Sequence, residues 1–424
     1  MTTQATTVVD VHTIGLGAGP GNLSLAALFE PAAPDQLALF DAAPSPSWHP
    51  QLMLPGVRMQ TSWLKDLVSV VDPTHRLTFL NYMVTTGRLF GLLNAQFGVI
   101  PRIEYDRYLA WASEQLGNVH YGVRVERVSF DRGFELYSAD GLVGRSQHLV
   151  VGLGSEPYVP EGFQDVLGDS VFVPEGLAER LGSMSTDLDA PVAVVGGGQT
   201  GSECVLALLG GGFRNIHWYG RRPWFQPIDD SPPANEHYRP AYLEYLQQLS
   251  AENRRRLVDE ATRTGDAITP GILQAIYQSN YDRMLADGSF PLTILPDRTV
   301  VSAEAVDGGY ELRVTAARGA ERHHARYVVL ATGRRTRPMP FDDELRERLE
   351  LDDNGEVVLD ADFSVRWKGT NGHRLFAPYL SRFSHGIAAT NLTLLPVRGA
   401  IVLNSLFERE LVPFRDELLS TEWG

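Results

Sequence analysis

Two glycine-rich turns hold the residues best suited to chemistry in this chain. The first, Gly15-Leu16-Gly17-Ala18-Gly19-Pro20, follows Val8-Val9-Asp10-Val11-His12-Thr13-Ile14. The second, Gly196-Gly197-Gly198-Gln199-Thr200-Gly201, follows Val192-Ala193-Val194-Val195, about 180 residues further on. Glycines at a strand-to-helix junction let the backbone approach a pyrophosphate. The helix N-terminus adds free N–H groups and positive dipole. One such turn is weak evidence, but two suggest two dinucleotides on one protein with electrons passing between them. The candidate contacts are Gly15, Gly17, Gly19 and Pro20 in the first turn, and Gly196, Gly198, Gln199, Thr200 and Ser202 in the second. Pro20 replaces the usual last small residue and suits the first position of a helix, where its missing N–H costs little.

The elements that must position these turns are two α/β units. In the first, the strand Leu37-Ala38-Leu39-Phe40 ends at Asp41, about 26 residues after Gly15. A carboxylate there accepts hydrogen bonds from ribose hydroxyls; the alternative is a surface acid. In the second, Ile216-His217-Trp218-Tyr219 is followed by Gly220-Arg221-Arg222. Guanidinium groups at this place suit the 2′-phosphate of NADP, where an acid would favour NAD; the alternative is two solvated charges. Two buried strands ending in glycine, Leu149-Val150-Val151-Gly152 and Tyr327-Val328-Val329-Leu330-Ala331-Thr332-Gly333, read as return crossings beneath the dinucleotides, with Thr332 and Gly333 as further contacts. Residues 44–60 read as an irregular loop, 75–116 as helical with a turn near Pro101, 120–160 as a β-meander and 235–290 as helical.

The chain has 424 residues, enough for two or three domains, with ordinary hydrophobic (43%) and charged (21%) content. A net charge of −15 argues against nucleic-acid or anionic-membrane partners. No apolar run approaches the roughly 20 residues of a membrane span, and a cytoplasmic location is the default. A single cysteine, Cys204, rules out an intrachain dithiol cycle and reads as a buried packing residue. No metal site is expected.

Further motifs recur along nearly the whole chain. The first turn extends to Gly21-Asn22-Leu23-Ser24, and Ser47-Trp48-His49-Pro50 follows. Then come Met59-Gln60-Thr61-Ser62-Trp63-Leu64-Lys65-Asp66-Leu67-Val68 and Phe79-Leu80-Asn81-Tyr82. Later are Gly197-Gly198-Gln199-Thr200-Gly201-Ser202-Glu203, Asp229-Asp230-Ser231-Pro232, Ala331-Thr332-Gly333 and His385-Gly386-Ile387. In this order the set resembles the flavin-dependent N-hydroxylating monooxygenases of siderophore biosynthesis, which act on lysine, ornithine or diamines.

The resemblance implies an α/β chain with two Rossmann-like dinucleotide-binding domains and a small, mainly helical substrate region. An FAD domain would span 1–165 and 334–424, an NADPH domain 166–234 and 291–333, and the substrate region 235–290. FAD would sit on the first turn and NADPH on the second. NADPH reduces the flavin, O2 adds at C4a, and the hydroperoxide passes one oxygen to a neutral amine. Such chemistry belongs to the cofactor, with the protein supplying position and dryness. Trp48, His49 and Gln60 match positions beside the flavin, and Leu394 is a further cofactor contact. Lys65 matches a lysine that pairs with the substrate carboxylate. Asn235 and Asn280 align with amides that hold the substrate's backbone end, and Gln60 and Asn280 are expected at the reaction centre as catalytic residues. The segment from Ala267-Ile268-Thr269-Pro270 to Met284, and His385-Gly386-Ile387-Ala388, read closest to the L-lysine N6-hydroxylase branch. Ornithine and diamines such as cadaverine or putrescine are the alternative substrates, and a non-catalytic flavin-binding protein is the alternative of another class. A homo-dimer or tetramer is expected.

Overall fold

The computed structural model describes residues 8–424. Strand β1 (Val9–Leu16) runs into the first glycine turn, and helix α1 (Pro20–Phe29) leads to β2 (Leu37–Asp41), parallel to β1. Helices α2 (Phe79–Thr85), α3 (Leu89–Ala95) and α4 (Arg102–Glu114) precede β3 (Val119–Tyr121), which lies parallel to β2. Strands β4 (Arg127–Phe130), β5 (Phe134–Ser138) and β6 (Gly141–Val151) form an antiparallel meander that returns β6 to the other side of β1.

Strand β7 (Ser155–Pro157) leaves this sheet for a second one, built from β8 (Val171–Phe172), β9 (Val192–Val195) and β10 (Ile216–Tyr219). Helix α5 (Leu177–Met184) lies between β8 and β9, and α6 (Gln199–Gly210) between β9 and β10. Helices α7 (Pro232–Asn235), α8 (Pro240–Gln247), α9 (Ala251–Glu260) and α10 (Pro270–Asp287) follow. Then come β11 (Leu292–Leu295), an antiparallel meander of β12 (Arg298–Val306), β13 (Gly309–Ala316) and β14 (Gly319–Ala325), and β15 (Tyr327–Leu330). The second sheet is parallel throughout, in the order β11-β10-β9-β15-β8. Every residue of β9 is buried, as a central parallel strand covered on both faces requires.

The chain crosses back through β16 (Arg334–Thr336), antiparallel to β7, so the two crossings lie side by side. Helix α11 (Asp343–Arg348) follows, β17 (Leu375–Phe376) joins β6 in parallel, and α12 (Arg382–His385) and α13 (Leu395–Leu406) end the regular structure, with α13 packed along α1. The fold is thus two Rossmann-like units, the first closed by the C-terminal segment. The helical stretch 235–290 divides between them: Leu243 of α8 joins the core around α1 and α13, while Ile268 and Ile276 join the core around α6.

The glycines of the two turns have a packing reason. Gly17 has φ +86°, and a Cβ on it would stand 2.5 Å from the Gly152 carbonyl oxygen. Gly196 has φ +136°, with the Ala331 carbonyl oxygen 1.9 Å from the same position. Each turn is therefore pressed onto the return strand that the sequence placed beneath it.

One buried network joins the two units. Arg102, at the start of α4, donates to both carboxylate oxygens of Glu203 on α6, at 3.1 and 2.7 Å. Their side chains are 13% and 2% exposed. Arg102 also donates to the Leu52 carbonyl. Gln199 Nε2 donates to Glu203 at 2.9 Å, and its Oε1 accepts from the Thr269 N–H that precedes α10, also at 2.9 Å. Removing one partner of such a pair strands a charge in the interior, which costs about 3–5 kcal/mol, whereas replacing both by apolar residues is often neutral. Glu203→Gln is expected to destabilise the apoprotein by about 3 kcal/mol, and Arg102→Met combined with Glu203→Leu by much less. Thermal unfolding of the two variants measures this; a double variant as unstable as the single one contradicts it.

Candidate active site

A cleft of about 710 Å³ opens between the two units. Its walls combine the start of α1, the loop from Trp48 to Thr61, the start of α6, the β16 crossing and α13. Gly19 caps α1 without a side-chain hydrogen bond, and a Cβ on it would meet no protein atom within 4 Å. Gly198 does the same at α6. Two uncapped helix starts with open space before them fit two pyrophosphates.

Of the expected contacts, Gly19, Pro20, Trp48, His49 and Gln60 line the cleft on the α1 side, and Gln199 and Thr200 on the α6 side. Trp48 is anchored by its backbone N–H to Asp106 at 2.6 Å and by edge-on packing against Tyr105. His49 adopts a left-handed backbone, φ 50°, and lines the cleft as an exposed residue. Desolvation among the cleft walls, reinforced by Arg334 and Arg102, lowers its pKa to about 4, so the imidazole is neutral at physiological pH. The Gln60 amide makes no hydrogen bond to the described residues and is exposed in the cleft.

Lys65 sits on a loop held from within by Asp66. That buried carboxylate accepts the N–H groups of Val68, Ser69 and Phe79 and the Ser69 hydroxyl. The neighbouring Leu67 is tied to Ser24 of α1 and to the Tyr108 hydroxyl. The loop is therefore rigid, and its lysine is half-buried with Nζ 5.9 Å from the centre of the Tyr238 ring. Burial lowers the pKa of this ammonium, and no carboxylate among the described residues pairs with it. Asn235, three residues before Tyr238, is exposed. Its Nδ2 donates to the Asp230 and Ser231 carbonyls, leaving Oδ1 available.

The other expected residues lie elsewhere. Asp41 accepts from the N–H groups of Ala18 and Ala43, both at 2.7 Å, so it braces the first turn from the end of β2. Gly15 packs against Leu39. Arg221 is exposed and Arg222 bonds the Gln226 side chain at 3.0 Å; neither pairs with an acid among the described residues. Thr332 donates to the Tyr158 carbonyl, and Gly333, φ +101°, is exposed where β15 gives way to the crossing.

Three expectations change. Asn280 does not reach the cleft: it is 8% exposed, and its amide bonds the N–H and carbonyl of Leu292, at 3.0 and 3.1 Å. It pins α10 to β11, so neither a catalytic nor a substrate-binding role fits it. Ser202 is fully buried, its hydroxyl spent on the Gln199 carbonyl. Leu394 is buried in the first core, and its neighbours Leu392 and Leu395 line the cleft in its place.

The sequence reading missed the cleft's arginines: Arg58, Arg102, Arg334, Arg335, Arg382 and Arg398 all line it. The run Arg334-Arg335-Thr336-Arg337, set in a chain of net charge −15, is the visible signal for part of this set. The cleft is thus lined by cations on an acidic protein; Arg102, Arg334, Arg335 and Arg382 are ion-paired, and Arg58 and Arg398 are left to suit phosphate-bearing ligands.

Comparison with known proteins agrees with this geometry. The family model described as L-lysine 6-monooxygenase/L-ornithine 5-monooxygenase matches residues 8–336. An L-lysine N6-monooxygenase of Escherichia coli is 31% identical over 406 residues, covering 95% of each chain. A putrescine N-hydroxylase of Shewanella oneidensis is 29% identical, covering 93% of this chain and 80% of its own. The solved structure of DfoA, the FAD-bound cadaverine monooxygenase of Erwinia amylovora, superposes with a TM-score of 0.90 at 25% identity, covering 98% of both chains. With two nucleotide turns opening on one basic cleft, and with these relatives, the chain belongs to the L-lysine 6-monooxygenase/L-ornithine 5-monooxygenase family of FAD- and NADPH-dependent enzymes that N-hydroxylate lysine, ornithine or diamines.

Proposed function

We propose that the protein hydroxylates the side-chain amine of L-lysine at N6, on a route to a siderophore or related hydroxamate. The observation that carries this is Lys65, a half-buried ammonium on a rigid loop with no acidic partner among the described residues. A cation in that state is stabilised by an incoming carboxylate, which an amino acid has and a diamine lacks. Asn235 leaves an acceptor open for the substrate's α-ammonium. Lysine is preferred to ornithine on the similarity to the Escherichia coli enzyme, since one methylene is worth only about 1–3 kcal/mol in a pocket. Its working form is a cytoplasmic homo-dimer or tetramer. Tyr277, Tyr281 and Leu285, 56%, 54% and 66% exposed, form an apolar stripe on α10 that suits a subunit contact. Among the described residues no helix is long and apolar enough to cross a membrane.

The roles of the residues follow from their placement. FAD, once reduced by NADPH, supplies the activation of O2 and the transfer of one oxygen atom. Gly19 and Gly198 leave room for the two pyrophosphates, and Asp41 keeps the first turn in shape and would offer its remaining lone pairs to the ribose hydroxyls. Arg221 and Arg222 receive the 2′-phosphate of NADPH. Lys65 fixes the carboxylate end of lysine, so that the opposite end projects towards the cleft. Gln60 offers an uncommitted amide at the reaction centre, and His49, held neutral, adds no competing positive charge beside an amine that must react unprotonated.

The direct test is hydroxylamine and hydrogen peroxide measured separately with lysine, ornithine, cadaverine and putrescine. Hydroxylamine is expected mainly from lysine; product from diamines alone moves the assignment to that class, and peroxide alone from every amine contradicts N-hydroxylation. Lys65→Ala is expected to raise KM for lysine about 10- to 100-fold, the loss of one charge-assisted hydrogen bond, with little change for cadaverine. Equal effects on both substrates would remove the carboxylate role. Arg221→Ala with Arg222→Ala is expected to weaken NADPH by about tenfold or more and to spare NADH, read from KM for each coenzyme. An unchanged preference would place phosphate recognition elsewhere.

A further inference from the structure

The arginines of the cleft are not equivalent. Arg102, Arg334, Arg335 and Arg382 each face an acid: Glu203, Glu175, Glu156 and Asp266. Arg58 is exposed and rests over the Phe97 ring. Arg398, on α13, is 7% exposed and pairs with no carboxylate among the described residues. Its hydrogen bond runs from Nη2 to the Asn391 carbonyl at 3.1 Å, and its other donors find no acceptor among the described residues. Burial lowers its pKa to about 10, which still leaves it charged at neutral pH.

A buried guanidinium without a counter-ion is strongly unfavourable, and a protein retains one where a ligand supplies the missing charge. Here the ligand's position is constrained. Arg398 lines the cleft together with Pro20, Gly21 and Asn22 of α1 and with Leu395 of its own helix. The two helices pack along one another, with Leu395 Cδ2 3.9 Å from where a Cβ on Gly21 would stand. The uncapped start of α1 and the free guanidinium therefore face the same stretch of cleft.

We propose that Arg398 is the counter-ion of the bound FAD, holding an oxyanion of the flavin dinucleotide where α1 and α13 meet. The proposal rests on FAD binding and is independent of which amine is hydroxylated. FAD carries two such oxyanions. One is the pyrophosphate, charged in both redox states. The other is the pyrimidine edge of the ring system, which gains one negative charge when hydride brings two electrons and a proton to the oxidised flavin.

Arg398→Met and Arg398→Lys test the assignment through three measurements: thermal unfolding of the apoprotein, the Kd of oxidised FAD, and the flavin midpoint potential. The Met apoprotein is expected to be at least as stable as the unmodified one, because an uncompensated charge has gone. Where the pyrophosphate is the anion, oxidised FAD is expected to raise its unfolding temperature by less than it raises that of the unmodified protein; where the reduced pyrimidine is the anion, the gain is expected to be the same. Lys, which keeps the charge but not the fork, is expected to fall between. If the pyrophosphate is the anion, the Kd for oxidised FAD rises about tenfold or more and the potential is unchanged. If it is the reduced pyrimidine, the Kd for oxidised FAD holds within about twofold and the potential falls, by about 30 mV for each tenfold loss of preference for the reduced form. Unchanged Kd and unchanged potential, whether or not Met destabilises the apoprotein, would make Arg398 a packing residue and overturn the proposal.

Discussion

The contact between Arg102 and Glu203 is the interaction on which the rest of the site depends. The residues are 101 positions apart and belong to different nucleotide-binding units, yet they meet with both carboxylate oxygens engaged and almost no exposure to water. A charged pair in the interior is a poor source of net stability but a strong source of orientation, because each partner is tolerable only where the other stands. Gln199 and Thr269 extend the constraint, so the start of α6 is held against α4 and the start of α10 together. The β7–β16 ribbon alone would connect the units without fixing their angle. With the buried pair in place, the two uncapped helix starts open onto one cleft.

The electrostatics of that cleft follow from how its cations are paired. Arg334 and Arg335 are matched to Glu175 and Glu156 near the crossings, and Arg382 to Asp266. These pairs lend structure to the walls and leave little charge for a ligand. Arg398 in the cleft is buried without such a match, and outside its lining Lys65, half-buried, and Arg221 and Arg222, at the end of β10, have no acidic partner among the described residues. On a protein of net charge −15, cations left without acids are the places where anionic groups of substrate and cofactors are best received. On the proposed reading, the division between paired and unpaired cations separates scaffold from binding surface.

The glycine turns were legible in the sequence because their geometry is local: Gly17 and Gly196 need backbone freedom and close approach, and both show as glycine at a fixed place after a strand. The Lys-Asp-Leu stretch was legible only through the family resemblance; that Asp66 caps its own loop is a finding of the structure. What escaped depends on direction or on distance along the chain. Asn280 has the right residue type, but it lies one turn beyond the buried Ile276 on α10 and so points into the protein; that spacing was the available signal. Arg102 and Arg398 carry no local mark, because one is defined by a partner in another unit and the other by having no acidic partner among the described residues. The helical region 235–290 is continuous in sequence but shared between two cores in space, which periodicity within a helix does not record.

Cations without acidic partners among the described residues are proposed to mark where the anionic groups of FAD and of an amino-acid substrate are held. A crystal structure of the enzyme with FAD, NADP+ and L-lysine tests it most directly. The expected result has the lysine carboxylate within about 4 Å of Lys65 Nζ and an FAD oxyanion within the same distance of the Arg398 guanidinium. A substrate carboxylate held away from Lys65, with Arg398 facing only protein, would contradict it.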